Sequence, residues 1–222
     1  MRELVRLCFL ATCVTAVVML CPAHSFGQAS EDGLTSRTVT LRLGNASFIR
    51  VLVVLAVEHR VPIGLEVADD DADGPRLDID VSNETLKNVL DLITRQEPDY
   101  RWEVKDGVIN FVPARARDPF LSQLLDTRVV RFAPEKGVNK YGLRDALTNL
   151  PEVKRLLDAN GMTVWRLGPP TYRSVYTNDE VDLSISDTDV RGVLNKVIRD
   201  SEHKLWVVSR RSHTKNTIQI NF

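Results

Sequence analysis

Hydrophobic and polar residues alternate in several short runs along this chain. Val39, Leu41 and Leu43 interleave with polar neighbours, Leu77, Ile79 and Val81 with Asp78 and Asp80, and Val181, Leu183 and Ile185 with Asp182 and Ser184. A period of two predicts strands with one buried face. Elsewhere the period changes to that of a helix. Leu86, Val89, Leu90 and Ile93 fall at i, i+3, i+4 and i+7, as do Val190, Val193, Leu194 and Val197, each set marking one helical face. Ser82-Asn83 and Ser186-Asp187 precede these runs and carry side chains able to cap a helix start.

The two sets lie 104 residues apart, and Leu77–Val104 aligns with Val181–Val208 along its whole length, Trp102 falling on Trp206. The chain is an internal duplication. In the first copy a hairpin turn at Lys105-Asp106-Gly107 leads to a strand from Val108 to Val112; in the second a longer basic loop leads to Thr217–Phe222, read as an edge strand. Upstream, a helix is predicted from Phe48 to about Arg60 and a short strand from Ile63 to Val67. Their counterparts are a strand near Thr127–Phe132, a helical segment from Gly142 to Ala159 divided at Pro151 and stopped by Gly161, and a strand from Met162 to Leu167. The helix after Phe48 is apolar nearly all round, which predicts cover on both sides. The expected fold class is α+β: two related small domains of β-α-β-β-α-β-β type, helices packed on small mixed sheets. The boundaries run 1–29 for a leader, 38–113 for the first domain, 114–126 for a proline-bounded linker with a short helix, and 127–222 for the second domain.

The leader sets the compartment. Arg2 and Arg6 flank a basic start, residues 7–21 are apolar and uncharged, and Pro22 breaks the run before Ala23, Ser25, Gly27 and Ala29. That is the pattern of a secretory signal peptide cleaved after Ser25 or Ala29, leaving no membrane span. Cys8, Cys13 and Cys21 are the three cysteines of the sequence and all lie in this segment, so disulfides and thiolate chemistry are not expected in the mature protein. The address is the periplasm, with full secretion second.

At this point the residues Val39–Val67, Leu77–Gln96 and Tyr100–Val112 resemble the short N-terminal domain shared by secretins and TonB-dependent receptors. The resemblance implies a periplasmic α+β module with two helices between small sheets, which binds a partner protein of the envelope. It covers the first half nearly completely and the second half mainly in its C-terminal unit.

Charge is uneven. Residues 30–117 hold 11 Lys/Arg against 16 Asp/Glu, net −5, and residues 118–222 hold 16 against 13, net +3. Neither half has the dense basic stripe that nucleic acid requires. His59, His203 and His213 stand in no metal spacing and beside no nucleophile motif, so no enzyme activity is expected. Asp69, Asp71, Asp73 and Asp80 occupy positions 1, 3, 5 and 12 of a calcium-type loop with Gly74 at the turn, which allows a Ca²⁺ site or an acidic solvated turn. Partner-binding candidates are Trp206, on a strand apolar on both faces, Tyr172, at the tip of a proline-rich loop, and the basic Arg210 and Arg211. A sheet edge could also pair two copies. The leading expectation is a non-enzymatic adaptor of an envelope system; the alternatives are a secreted calcium- or small-ligand-binding module and, behind it, an unrecognised hydrolase.

Overall fold

The computed structural model describes residues 31–67, 76–115, 118–136, 138–165, 183–210 and 216–222. After a short helix α1 (Glu31–Thr35), strand β1 (Thr38–Ser47) leads into α2 (Phe48–Val57), β2 (Ile63–Glu66), β3 (Arg76–Thr85), α3 (Leu86–Gln96) and the hairpin β4 (Tyr100–Lys105) and β5 (Val108–Pro113). The second half runs α4 (Pro119–Leu125), β6 (Arg128–Phe132), α5 (Lys140–Thr148), α6 (Pro151–Ala159), β7 (Thr163–Val164), β8 (Ile185–Asp189), α7 (Val190–Asp200), β9 (Leu205–Arg210) and β10 (Thr217–Asn221). The fold is α+β, as the alternating periods predict.

Residues 104 apart repeat one another's local physics. Thr85 caps α3 by accepting from Asn88 N, and Asp189 caps α7 by accepting from Gly192 N. Both caps lie beyond the expected Ser82-Asn83 and Ser186-Asp187. The strands continue three residues further, and Asn83 and Asp187 instead take left-handed φ angles of 52° and 55°, which asparagine and aspartate tolerate better than other side chains. Trp102 donates through Nε1 to Asp91 at 2.9 Å, and Trp206 donates to Asn195 at 2.8 Å. Ile109 and Asn110 sit opposite Val104 and Glu103, and Ile220 and Asn221 opposite Val208 and Val207.

Among the described residues three sheets result. β1 and β3 form one antiparallel ribbon, β6 and β8 another, and six strands form a mixed sheet in the order β4-β5-β2-β9-β10-β7. That large sheet crosses between the halves: β2 runs parallel to β9, with Ile63 beside Leu205 and Glu66 beside Val208. Two buried apolar clusters follow the halves only approximately, since Val108 of β5 packs with the second while Leu205 and Val207 of β9 pack against the first. The large sheet thus bridges the two halves of the chain in space.

At the bridge, Gly64 is required by close approach. A Cβ there would stand 2.3 Å from two carbons of the Trp206 ring. Beside it Arg191 of α7 pairs with Glu66 of β2 at 3.0 Å, their side chains 8% and 6% exposed. The β4–β5 turn lies along α7. Lys105 pairs with Asp189 at 2.6 Å, Asn195 Nδ2 donates to the Lys105 carbonyl at 3.2 Å, and Arg199 donates to the Asp106 carbonyl at 3.0 Å.

Two expectations are corrected. The strand ending the second half is not an edge: β10 lies between β9 and β7 because the short β7 pairs parallel along Thr217 and Ile218. Helix α2 is not covered all round. Phe48, Val51, Leu52, Val54, Leu55 and Ala56 are buried, whereas Ile49 is 45% and Val57 70% exposed.

Candidate partner-binding surface

The open face of α2 follows from its sequence. Ser47 starts the helix by accepting from Arg50 N, and ten residues without a break then place Ile49, Val53 and Val57 at i, i+4 and i+8, one ridge along the cylinder. Of the three large apolar side chains that are exposed among the described residues, Ile49, Val57 and Val130, two stand on this ridge. Scattered single apolar residues are ordinary on a surface; two in line on one helix make this face the candidate contact surface.

The ridge ends in a positively charged corner. Past Val57 the chain reverses, Val61 N donating to the Leu55 carbonyl at 3.2 Å, with Arg60 held at a φ of 52°. Arg37 secures the turn by donating to the His59 carbonyl at 3.0 Å. Arg60 therefore projects beside the start of β9. Val57, Arg60, Glu202, His203, Lys204 and Leu205 are among the residues lining an open cleft of about 380 Å³ there, so one carboxylate already stands with the two cations. Lys204 spans its floor and caps α7, donating to the carbonyls of Ile198, Arg199 and Ser201 at 3.2, 3.1 and 2.6 Å. Burial holds the Lys204 ammonium below the usual lysine range, and the neighbouring Arg60 charge lowers it further, against the raising effect of Asp200 and Glu202. An apolar ridge running into a cleft that holds Arg60, with Lys204 committed to the carbonyls of α7 and Glu202 beside it, can accept a peptide segment with apolar side chains.

The residues singled out from sequence fare differently. Trp206 is wholly buried, its ring against Gly64 and its N–H on Asn195, so it cannot itself meet a partner. The strand is apolar on both faces because it lies inside a sheet covered on both sides. Arg210 is 38% exposed and pairs with Asp118, the cap of α4, at 3.3 Å. Asp80 stands in solvent on β3 and pairs with Arg42 at 3.3 Å. Asp69, Asp71, Asp73, Tyr172 and Arg211 lie outside the described residues. Among the described residues no three His, Cys, Asp or Glu side chains are grouped to hold a metal ion, and no helix is long and apolar enough to cross a membrane. The α2 ridge escaped the sequence reading because a helix apolar on every side does not reveal which stripe the fold leaves open.

Comparison with protein-family models, with curated proteins and with solved structures returns no match for this chain.

Proposed function

We propose that this chain is a non-enzymatic, protein-binding adaptor of the bacterial cell envelope, exported to the periplasm by its leader, and that the α2 ridge with its basic corner is the surface it offers. The single observation that carries the reading is the exposure of Ile49 and Val57 in line on one helix that opens into the Arg60–Lys204 cleft. Export and the resemblance of Val39–Val112 to the short N-terminal domain of secretins and TonB-dependent receptors supply the compartment and the kind of partner. Burial of that ridge against an apolar segment provides the driving force, and Arg60 at its end attracts a carboxylate on that segment.

The test is capture from envelope extracts by the immobilised mature protein, with the bound partner identified by mass spectrometry. The same capture is repeated with Ile49→Glu/Val57→Glu. The reading expects a defined partner whose recovery the double variant abolishes. Equal recovery by both proteins would refute the α2 surface. No specific partner, together with a melting temperature raised by a small ligand or Ca²⁺, would favour the ligand-binding alternative instead.

A further inference from the structure

We infer that the outer edge of β4 is a second docking site, which takes an extended segment of another protein as an added parallel strand, with a small residue opposite Trp102 and an acidic one two places on. Backbone geometry opens this edge. Ala114 N donates to the Asp99 carbonyl at 2.7 Å, so in the antiparallel β4–β5 register the hydrogen-bonded pairs fall at Arg101–Val112, Glu103–Asn110 and Lys105–Val108. The N–H and C=O groups of Trp102 and Val104 therefore point away from β5. Among the described residues no strand lies on that side, since β4 ends the six-stranded order.

The second half shows what such an edge accepts. Trp206 and Val208, the counterparts of Trp102 and Val104 at a spacing of 104, belong to β9, and there the same edge is filled by β2 in parallel. Ile63 N donates to the Lys204 carbonyl at 2.7 Å and Val67 N to the Val208 carbonyl at 2.9 Å. A period of two turns the N–H of Leu65 the same way and those of Gly64 and Glu66 toward β5. Opposite Trp206 stands Gly64, where a Cβ would meet the indole ring at 2.3 Å. Opposite Val208 stands Glu66, which pairs with Arg191.

The first-half edge carries the same fittings. Trp102 is anchored to Asp91 of α3 at 2.9 Å as Trp206 is to Asn195 of α7 at 2.8 Å, yet it stays partly exposed where Trp206 is wholly buried. The counterpart of Arg191 is Lys87, 60% exposed and paired with Asp91 one turn on, a surface pair that contributes little and leaves the ammonium able to take a second carboxylate. The occupant is therefore an extended segment with a small residue and, two places on, an acid, the pattern of Gly64 and Glu66. This edge is separate from the α2 ridge, so its failure would leave that surface standing.

The probe is a synthetic peptide of residues 61–67, VPIGLEV, added at millimolar concentration to the mature protein and read by amide hydrogen exchange. The amides of Trp102 and Val104 should exchange roughly tenfold more slowly, while those of Arg101 and Glu103, already bonded to β5, stay as they were. The Gly64→Val peptide should have no effect. N-methylation of the peptide's leucine should also abolish the slowing, whereas N-methylation of its glutamate, whose N–H faces away from β4, should preserve it. In the protein, Lys87→Glu should weaken binding several-fold; unchanged binding overturns the acidic position. Amides of Trp102 and Val104 that ignore the peptide, or glycine and valine peptides that act alike, overturn the inference. So does slowing that grows with protein concentration in the absence of peptide, since the edge then belongs to a second copy of this chain.

Discussion

The Glu66–Arg191 pair offers the sharpest test of how the two halves are held together. Both side chains are more than nine-tenths buried at 3.0 Å, Ser122 of α4 donates to the second carboxylate oxygen at 3.2 Å, and the guanidinium lies 6.0 Å from the centre of the Trp206 ring. Arg191 Nη1 is buried with no hydrogen-bond partner among the described residues. Each charge therefore depends on the other for compensation. Glu66→Leu leaves a buried guanidinium unpaired, and Arg191→Met leaves a buried carboxylate with one hydroxyl donor. Either single change should cost about 3–5 kcal/mol, a large part of the ~5–15 kcal/mol of a typical fold. With a urea slope of ~2 kcal/mol per molar, the midpoint should fall by roughly 2 M. The double variant removes both charges and fills the space with apolar volume, so it should lie within ~1 kcal/mol of the parent or above it. Urea unfolding followed by tryptophan fluorescence measures all three. A single variant costing under ~1 kcal/mol would mean that water reaches the pair, and a double variant as unstable as the sum of the singles would mean that the charges do not depend on one another. Either result refutes the reasoning.

Gly64→Ala should destabilise by about 1–3 kcal/mol or more, read as a lowered melting temperature, because its methyl overlaps a tryptophan ring that Asn195 holds in place. Asn195→Ala should cost about 1–3 kcal/mol in urea unfolding by stranding the buried indole N–H and the Lys105 carbonyl. Asp91→Asn should cost less, since an amide oxygen at the equivalent position already accepts from Trp206. The hydrogen bond from Lys87, helped by that from Trp102, holds the Asp91 carboxyl below its usual 3.8 against the raising effect of burial. Its contribution is therefore present above about that pH and lost as acid carries the solution down through the lowered value. Acid titration of the melting temperature should be flatter below pH ~4 in Asp91→Asn than in the parent, and superimposable curves would remove Asp91 from the account.

Much of the local architecture is written in the sequence because its causes are local. Period-two alternation from Leu77 to Val81 and the i, i+3, i+4, i+7 spacing from Leu86 to Ile93 reflect the geometry of a pleat and of a helical turn, and the same patterns return 104 residues later. The cap positions were displaced by three residues because hydrogen bonding across the β1–β3 and β6–β8 ribbons carries the strands past Ser82 and Ser186. Pairing at long range was not legible at all. No periodicity states that β2 lies on β9, and so none explains why Trp206 is wholly buried while Trp102, in the same motif with the same side-chain bond, stays partly exposed. That difference is made by a neighbouring strand from the other half. The same holds for α2, whose ten residues are apolar on nearly every side: the helix was determined by its own sequence, but the stripe through Ile49 and Val57 was left open only by where the rest of the chain packs.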